Sequence, residues 1–256
     1  MKLTVLGSGG SVPHPLRSSS GYWLETQSGT VLLDCSASVP HRIAQERLDW
    51  AGLDAVWISH FHLDHSGGLA AFLHGMRHAP QTRDRKKPLN IFGPAGVRQL
   101  IDTFDAASGH RLLKQRFPVE IIEVGDLENF EIVPGIQAVA SKTPHTSESL
   151  GIHIRDADGR TIVYTSDTGF SDVVAAFAQG VDLLLIECSF VRDKTLENHL
   201  ELAEAMHVIR KSKPKRAVLT HLFEDWDQVD FAAEVRKFEP PCEVLEAVDG
   251  LQIEIP

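Results

Sequence analysis

The segment Ile58-Ser59-His60-Phe61-His62-Leu63-Asp64-His65-Ser66-Gly67-Gly68-Leu69 sets three imidazoles and a carboxylate in the pattern H-x-H-x-D-H, directly after the apolar run 55–59. At the His and Asp content of this chain, chance produces the pattern in about two of a thousand chains of this length. His60 and His62 stand two positions apart at a strand end, so in extended backbone both rings point the same way and offer two nitrogens to one metal ion. Asp64 and His65 follow where the chain turns, and can face a second ion beside the first. Imidazole and carboxylate without thiolate suit Zn²⁺, Mn²⁺ or Fe²⁺. Thirteen histidines in 256 residues make their placement the informative feature of the chain.

The elements that must position these groups alternate. Strands are expected at 2–6, at 22–26 and 30–34 around the Gln27-Ser28-Gly29 hairpin turn, and at 55–59, 89–92, 119–124, 136–141, 151–154, 161–165, 183–187, 217–220, 244–246 and 251–255. Helical patterns fall at 39–49, 96–104, 171–178, 199–211 and 226–238. The last two carry apolar stripes through Leu200, Ala203 and His207, and through Val229, Ala232 and Ala233. Strands interleaved with helices predict a layered α/β core in one domain spanning 1–256.

Composition excludes several classes. With 43% hydrophobic and 23% charged residues the chain buries a substantial core and is neither disordered nor low in complexity. It holds no apolar run of membrane-spanning length, and the opening stretch meets Gly7-Ser8-Gly9-Gly10 too soon for a signal sequence, so a cytoplasmic protein with no membrane partner is expected. Its three cysteines form no CxxC pair, which removes a disulfide framework and a cysteine zinc site. A net charge of −10, from 25 basic and 35 acidic residues, argues against non-specific nucleic-acid binding over the whole surface.

The histidine segment and its place after a strand resemble the metallo-β-lactamase superfamily, whose defining motif is HxHxDH. The resemblance implies a four-layer αββα sandwich and two divalent metal ions, zinc first, with manganese or iron as alternatives. It also implies three further ligands. His145, in Thr143-Pro144-His145-Thr146, is similar to the third histidine of the family. Asp167, in Ser166-Asp167-Thr168-Gly169, resembles its bridging aspartate, and His221, after Val218-Leu219-Thr220, its last histidine. One ion then falls to His60, His62 and His145, the other to Asp64, His65 and His221, with Asp167 on both.

Within the superfamily the chain is most similar to the ribonuclease Z and phosphodiesterase branch. Leu6-Gly7-Ser8-Gly9-Gly10-Ser11-Val12-Pro13 resembles its opening strand and turn, and Ile91-Phe92-Gly93-Pro94 a later strand. Glu187-Cys188-Ser189-Phe190, followed by His199 opening a helix, resembles its E-[AC]-[ST]-F segment and downstream histidine. By that resemblance His199 protonates the leaving group, Glu187 orients it, and Asp64 orients or deprotonates the attacking water as well as binding metal. Ribonuclease Z proper carries a long tRNA-gripping arm between the third histidine and the bridging aspartate; here 145 and 167 leave room for a hairpin only. The expected substrate is therefore a cyclic nucleotide, short nucleotide or other small phosphodiester rather than a folded tRNA. The alternatives are a ribonuclease Z-type tRNA 3′ endonuclease, or a hydrolase of a lactone, β-lactam, thioester or sulfate ester. Relatives in this branch commonly dimerise, so a homodimer is implied.

The other polar groups carry weaker expectations. The stretch 77–87, with Arg77, Arg83, Arg85, Lys86 and Lys87, reads as a flexible solvated excursion, and Arg111, Lys114 and Arg116 as a second basic segment; either is a candidate phosphate anchor, with a solvated face the commoner fate. Ser147 and Ser149 are candidate donors to substrate. His14, His41, His74, His78, His110, His153 and His207 read as structural or exposed, and Cys35 and Cys188 as small buried hydrophobes. The Gly7–Gly10 turn lacks the spacing of a nucleotide-binding loop.

Overall fold

The computed structural model describes residues 1–107 and 109–256. The first half forms β1 (Lys2–Gly7), β2 (Gly21–Glu25), β3 (Thr30–Leu33), α1 (Val39–Gln45), β4 (Ala55–Trp57), α2 (Leu63–Ser66), α3 (Leu69–His78), β5 (Leu89–Pro94), α4 (Val97–Ala106) and β6 (Val119–Val124). The second half forms β7 (Asn129–Val133), β8 (Ile136–Lys142), β9 (Leu150–Arg155), β10 (Thr161–Tyr164), α5 (Asp172–Phe177), β11 (Leu183–Glu187), α6 (Leu202–Ser212), β12 (Arg216–Thr220), α7 (Phe231–Arg236), β13 (Glu243–Glu246) and β14 (Gln252–Glu254).

Two seven-stranded sheets result, ordered β14-β1-β2-β3-β4-β5-β6 and β13-β12-β11-β10-β9-β8-β7. In each, antiparallel neighbours give way to parallel ones: β3 to β6 in the first sheet and β10 to β13 in the second. An antiparallel pair needs only a turn, whereas a parallel pair needs a crossover, and the helices supply the crossovers. Leu33 and Trp57 from one sheet meet Ile152, Tyr164 and Leu185 from the other in a shared core. On the outer faces Leu32, Val56 and Ile91 pack beneath Ile43, Leu73 and Ile101, and Leu184, Ile186 and Leu219 beneath Val174, Met206 and Ile209. The layers are helix, sheet, sheet, helix, as the resemblance implied. Covered on both faces, β10 and β11 are buried at every position, which is why they read as unbroken apolar runs.

Several local expectations are corrected. β7 pairs with β8 around Pro134-Gly135, the glycine at φ +85; its exposed Asn129 and Glu131 hide the strand in sequence. Residues 69–78 form α3, burying Leu69, Phe72, Leu73 and Met76 at helical spacing. The stretch 77–87 is not a free excursion. Arg77 closes α3 and donates to the carbonyls of Arg111 and Lys114. Arg85 is buried, donating to the carbonyls of Ala51, Leu53 and Pro88 with its guanidinium 4.6 Å from the Phe117 ring centre. The helix expected at 199–211 starts at Leu202, where Glu201 and Glu204 form a capping box, and it buries Leu202, Ala205, Met206 and Ile209 while Ala203 and His207 face solvent. The helix expected at 226–238 is broken: Trp226 is drawn into the core, its Nε1 donating to the Cys188 carbonyl, and Asp230 caps a new helix by accepting from the Ala233 amide. In that helix Val235 is buried and Ala232 exposed.

Candidate metal centre

The predicted residues gather where strands end. His60 and His62 follow β4, Asp64 and His65 sit in α2, and His145, Asp167 and His221 follow β8, β10 and β12. The carboxyl ends of parallel strands are where open α/β sheets place their ligands. The chain reverses sharply there, with Asp34 at φ +58, Ser166 at +59 and His221 at +57. Such left-handed backbone is uncommon outside glycine and is held by the surrounding bonds.

Asp167 lies at the middle of the cluster. Its carboxylate oxygens are 3.2 Å from His65 Nε2, 3.3 Å from His221 Nε2, 3.6 Å from His145 Nε2 and 3.9 Å from His60 Nε2. Asp64 Oδ2 is 3.4 Å from His221 Nε2, and His62 Nδ1 is 3.1 Å from His145 Nε2. Three groups emerge in which the ligand atoms all lie within 4.8 Å of one another: His60, His62, His145 and Asp167; Asp64, His65, Asp167 and His221; and, beside them, the smaller group Glu187, His199 and His221. Nε2 of both His60 and His65 is buried without a hydrogen-bond partner among the described residues. A buried nitrogen left bare is costly unless a cation takes its lone pair, and imidazole with carboxylate is the donor set of borderline divalent ions. The residues therefore fit divalent metal.

Two buried carboxylates aim the histidines, each by the same device. Asp34, absent from the sequence-based expectations, accepts His65 Nδ1–H at 2.7 Å and the hydroxyls of Tyr164 at 2.7 Å and Ser59 at 2.8 Å. Because Ser59 gives its proton to Asp34, its oxygen accepts from His60 Nδ1 at 3.0 Å. Glu187 repeats the pattern in the second sheet: it pairs with His199 Nδ1 at 3.0 Å and accepts the Ser189 hydroxyl at 2.8 Å, and Ser189 oxygen accepts from His221 Nδ1 at 3.0 Å. His145 Nδ1 donates to the Asn198 carbonyl at 2.9 Å. Each of these bonds places the ring proton on Nδ1 and leaves Nε2 bare toward the centre. The signal available for Asp34 was an aspartate closing the apolar run Val31-Leu32-Leu33.

Electrostatics follow from this packing. Burial holds His60 well below, and His145 below, the ordinary imidazole range, keeping their lone pairs available. His65 is also buried, yet Asp167 and Asp34 lift it well above that range. Burial pushes the Asp167 carboxyl up, but His221 and His65 hold it well below the usual carboxylate range. Burial opposes charge on His199 too, and the bond to Glu187 outweighs it, raising its pKa.

His199 stands just before α6 rather than inside it, its ring 4.8 Å from His145 and stacked 5.4 Å from His221. The cleft beside these groups is lined by Val12, Leu63, Leu196 and Phe223 as well as the histidines, and by no lysine or arginine among the described residues. In the first basic segment Arg77 and Arg85 hold backbone carbonyls, and Lys87 pairs with Asp54 before β4, at the end away from the motif. Nor do Ser147 and Ser149 line the cleft. Ser149 is fully buried against Thr146, and Ser147 donates to its neighbour Glu148. Cys35 and Cys188 are buried free thiols as expected.

A profile described as the β-lactamase superfamily domain matches residues 29–222. Ribonuclease Z of Methanosarcina acetivorans is 25% identical over an alignment of 312 residues covering 100% of this chain and 98% of that protein. That alignment is longer than the chain, so the relative carries segments absent here. Among solved structures, the metallo-β-lactamase fold protein YhfI of Bacillus subtilis superposes with a TM-score of 0.80 at 24% identity over 99% of both chains. A diphosphatase from the PhnP family gives 0.76 at 21% identity, over 100% of this chain and 98% of that one. The matched stretch runs from the turn before β3 past His221, and the chain belongs to the β-lactamase superfamily, as a metal-dependent hydrolase of the metallo-β-lactamase fold.

Proposed function

We propose that this chain, acting as one domain, hydrolyses a small phosphodiester such as a cyclic or short nucleotide at a centre of two divalent ions, zinc first. His60, His62, His145 and Asp167 hold one ion, and Asp64, His65, Asp167 and His221 the other. Bound there, the ions supply Lewis acidity that acidifies water and offsets charge on the phosphate oxygens. Asp64 orients the water, and His199, held through Nδ1 by Glu187, presents its other nitrogen to the departing alkoxide. The single observation that carries the reading is this Glu187–His199 pair beside the two ligand groups: an alkoxide leaving group needs a proton, and a histidine held through Nδ1 by a carboxylate has its other nitrogen free to present one.

A small substrate suits this site better than a large one. Between His145 and Asp167 runs only the β9–β10 hairpin, and among the described residues no cationic side chain lines the cleft to grip a polyanion. A tRNA precursor is the second reading, favoured by the ribonuclease Z relative. Metal-loaded protein is to be assayed against bis(p-nitrophenyl) phosphate, cyclic nucleotides, a tRNA precursor, a β-lactam and a lactone. The proposal expects turnover of the phosphodiesters and none of the tRNA; hydrolysis of the lactone with the diesters inert refutes it.

A further inference from the structure

On the Phe223 side the metal cleft adjoins a second cavity, of about 300 Å³, whose walls include Gly10, Val12, Phe190, Leu222 and Phe223. Phe190 and Phe223 meet edge to face with centroids 5.1 Å apart. Phe223 also reaches the rings of His221 and His199, at 5.4 and 5.6 Å, so the cavity begins where the histidines end. Gly10 keeps this contact: a Cβ there would lie 2.5 Å from Cε1 of Phe223.

Asp193, Glu224 and Asp225 also line it. Among the described residues none of these three carboxylates has a side-chain hydrogen bond or an ion pair. The cations nearby are already engaged: Arg17 with Asp227 and Glu246, Arg192 with Glu234, and Lys194 with Glu204 and Glu197. His14, the one basic group in the lining, is held by Asp227. All three side chains are exposed to solvent, and the fold itself asks nothing of them there. Aromatic faces beside carboxylates are the surroundings an organic ammonium prefers. A polyphosphate or nucleic-acid strand meets only repulsion at the same place.

We infer that this cavity holds an alkylammonium arm of the substrate, so that the diester is zwitterionic, with its phosphate at the metal cleft and its ammonium among Phe190, Phe223, Asp193, Glu224 and Asp225. The inference rests on the phosphodiesterase reading above and names the substrate class for it.

The test compares p-nitrophenyl phosphorylcholine with its uncharged isostere p-nitrophenyl 3,3-dimethylbutyl phosphate on metal-loaded enzyme, with bis(p-nitrophenyl) phosphate as reporter. Cation–π and carboxylate contacts predict kcat/KM about tenfold higher for the choline diester, carried by KM. The preference falls toward unity in the Asp193→Asn, Glu224→Gln, Asp225→Asn triple variant, and also at about 1 M salt. Turnover of the reporter by each protein normalises the comparison, so that a general loss of activity is separated from a loss of preference. A second readout needs no metal: saturation-transfer NMR of choline chloride detects binding to the metal-free wild type and none to the variant. Equal turnover of the two diesters with the reporter active, or a choline signal unchanged in the variant, overturns the inference and leaves the phosphodiesterase reading in place. Choline binding that the variant loses, with no diester hydrolysed, supports the cation preference of the cavity and overturns the phosphodiesterase reading instead.

Discussion

Asp34→Asn tests whether a buried carboxylate, rather than packing alone, aims the histidines. Asparagine matches aspartate in shape and tolerates the φ of +58 at this position, so the backbone is not strained anew. One carboxylate oxygen accepts from the Ser59 amide at 2.8 Å; the other accepts from the Ser59 hydroxyl, His65 Nδ1 and the Tyr164 hydroxyl. The least costly placement keeps the asparagine oxygen on the three-donor side and turns its NH₂ against the Ser59 amide. That opposed pair costs about 1–3 kcal/mol, and losing the charge from the remaining bonds weakens them further, for about 3–5 kcal/mol in all. A domain of ordinary stability survives such a loss, so urea unfolding of the metal-free variant reads it directly. With Asp34 neutral, the Nδ1 proton of His65 is no longer fixed and its Nε2 is less basic. Metal affinity at the Asp64, His65 and His221 group then falls about 10- to 100-fold. A chelator-competition titration measures the two sites separately. If both affinities stay within about twofold of wild type while the variant is folded, the carboxylate does not aim the rings and the argument fails.

Three further outcomes are expected. His199→Ala keeps its metal, loses about 10²- to 10⁴-fold in turnover of diesters with alkoxide leaving groups, and keeps most activity on bis(p-nitrophenyl) phosphate, whose nitrophenolate leaves without a proton; equal losses on both substrates would make His199 structural. Dialysis against a chelator abolishes hydrolysis and lowers Tm, since ions bind only the folded cluster, and two equivalents of zinc per chain restore both; restoration by one equivalent counts against the shared role of Asp167. Asp182, which accepts from the amide and hydroxyl of Thr161 and pairs with Lys215, ties β10 to β11, and Asp182→Ala costs about 1–3 kcal/mol at pH 7. Burial raises the Asp182 carboxyl, but Lys215 and Thr161 outweigh it and its folded pKa lies below the usual value. Its stabilisation is therefore present above the carboxylate range and lost as pH falls through the folded pKa, so the Tm gap between wild type and variant closes in acid; a gap independent of pH refutes this account.

Much of the architecture was legible because burial writes it locally. β10 and β11 are covered on both faces and appear as apolar runs, and the H-x-H-x-D-H cluster is complete within one strand end and the turn after it. Elements were missed where the pattern is one-sided or interrupted. β7 shows Asn129 and Glu131 to solvent, and α3 starts directly after Gly67-Gly68, inside the segment read for its chemistry. The expected stripe through His207 failed because the capping box starts α6 later than the apolar pattern suggested.

Residue spacing alone determined that one loop offers several metal-binding groups together, because two-residue periodicity and a turn act over a few bonds. That Asp34 would hold both His65 and Tyr164, the latter 130 positions away, was decided only when the two sheets packed face to face, and that Glu187 would reach His221 through Ser189 only when β11 and β12 paired side by side. The left-handed turns at Asp34, Ser166 and His221 are not marked by glycine, and bonds from distant strands hold them. Convergence of separate strand ends depends on burying both sheets against each other, and no short stretch of chain contains that free energy.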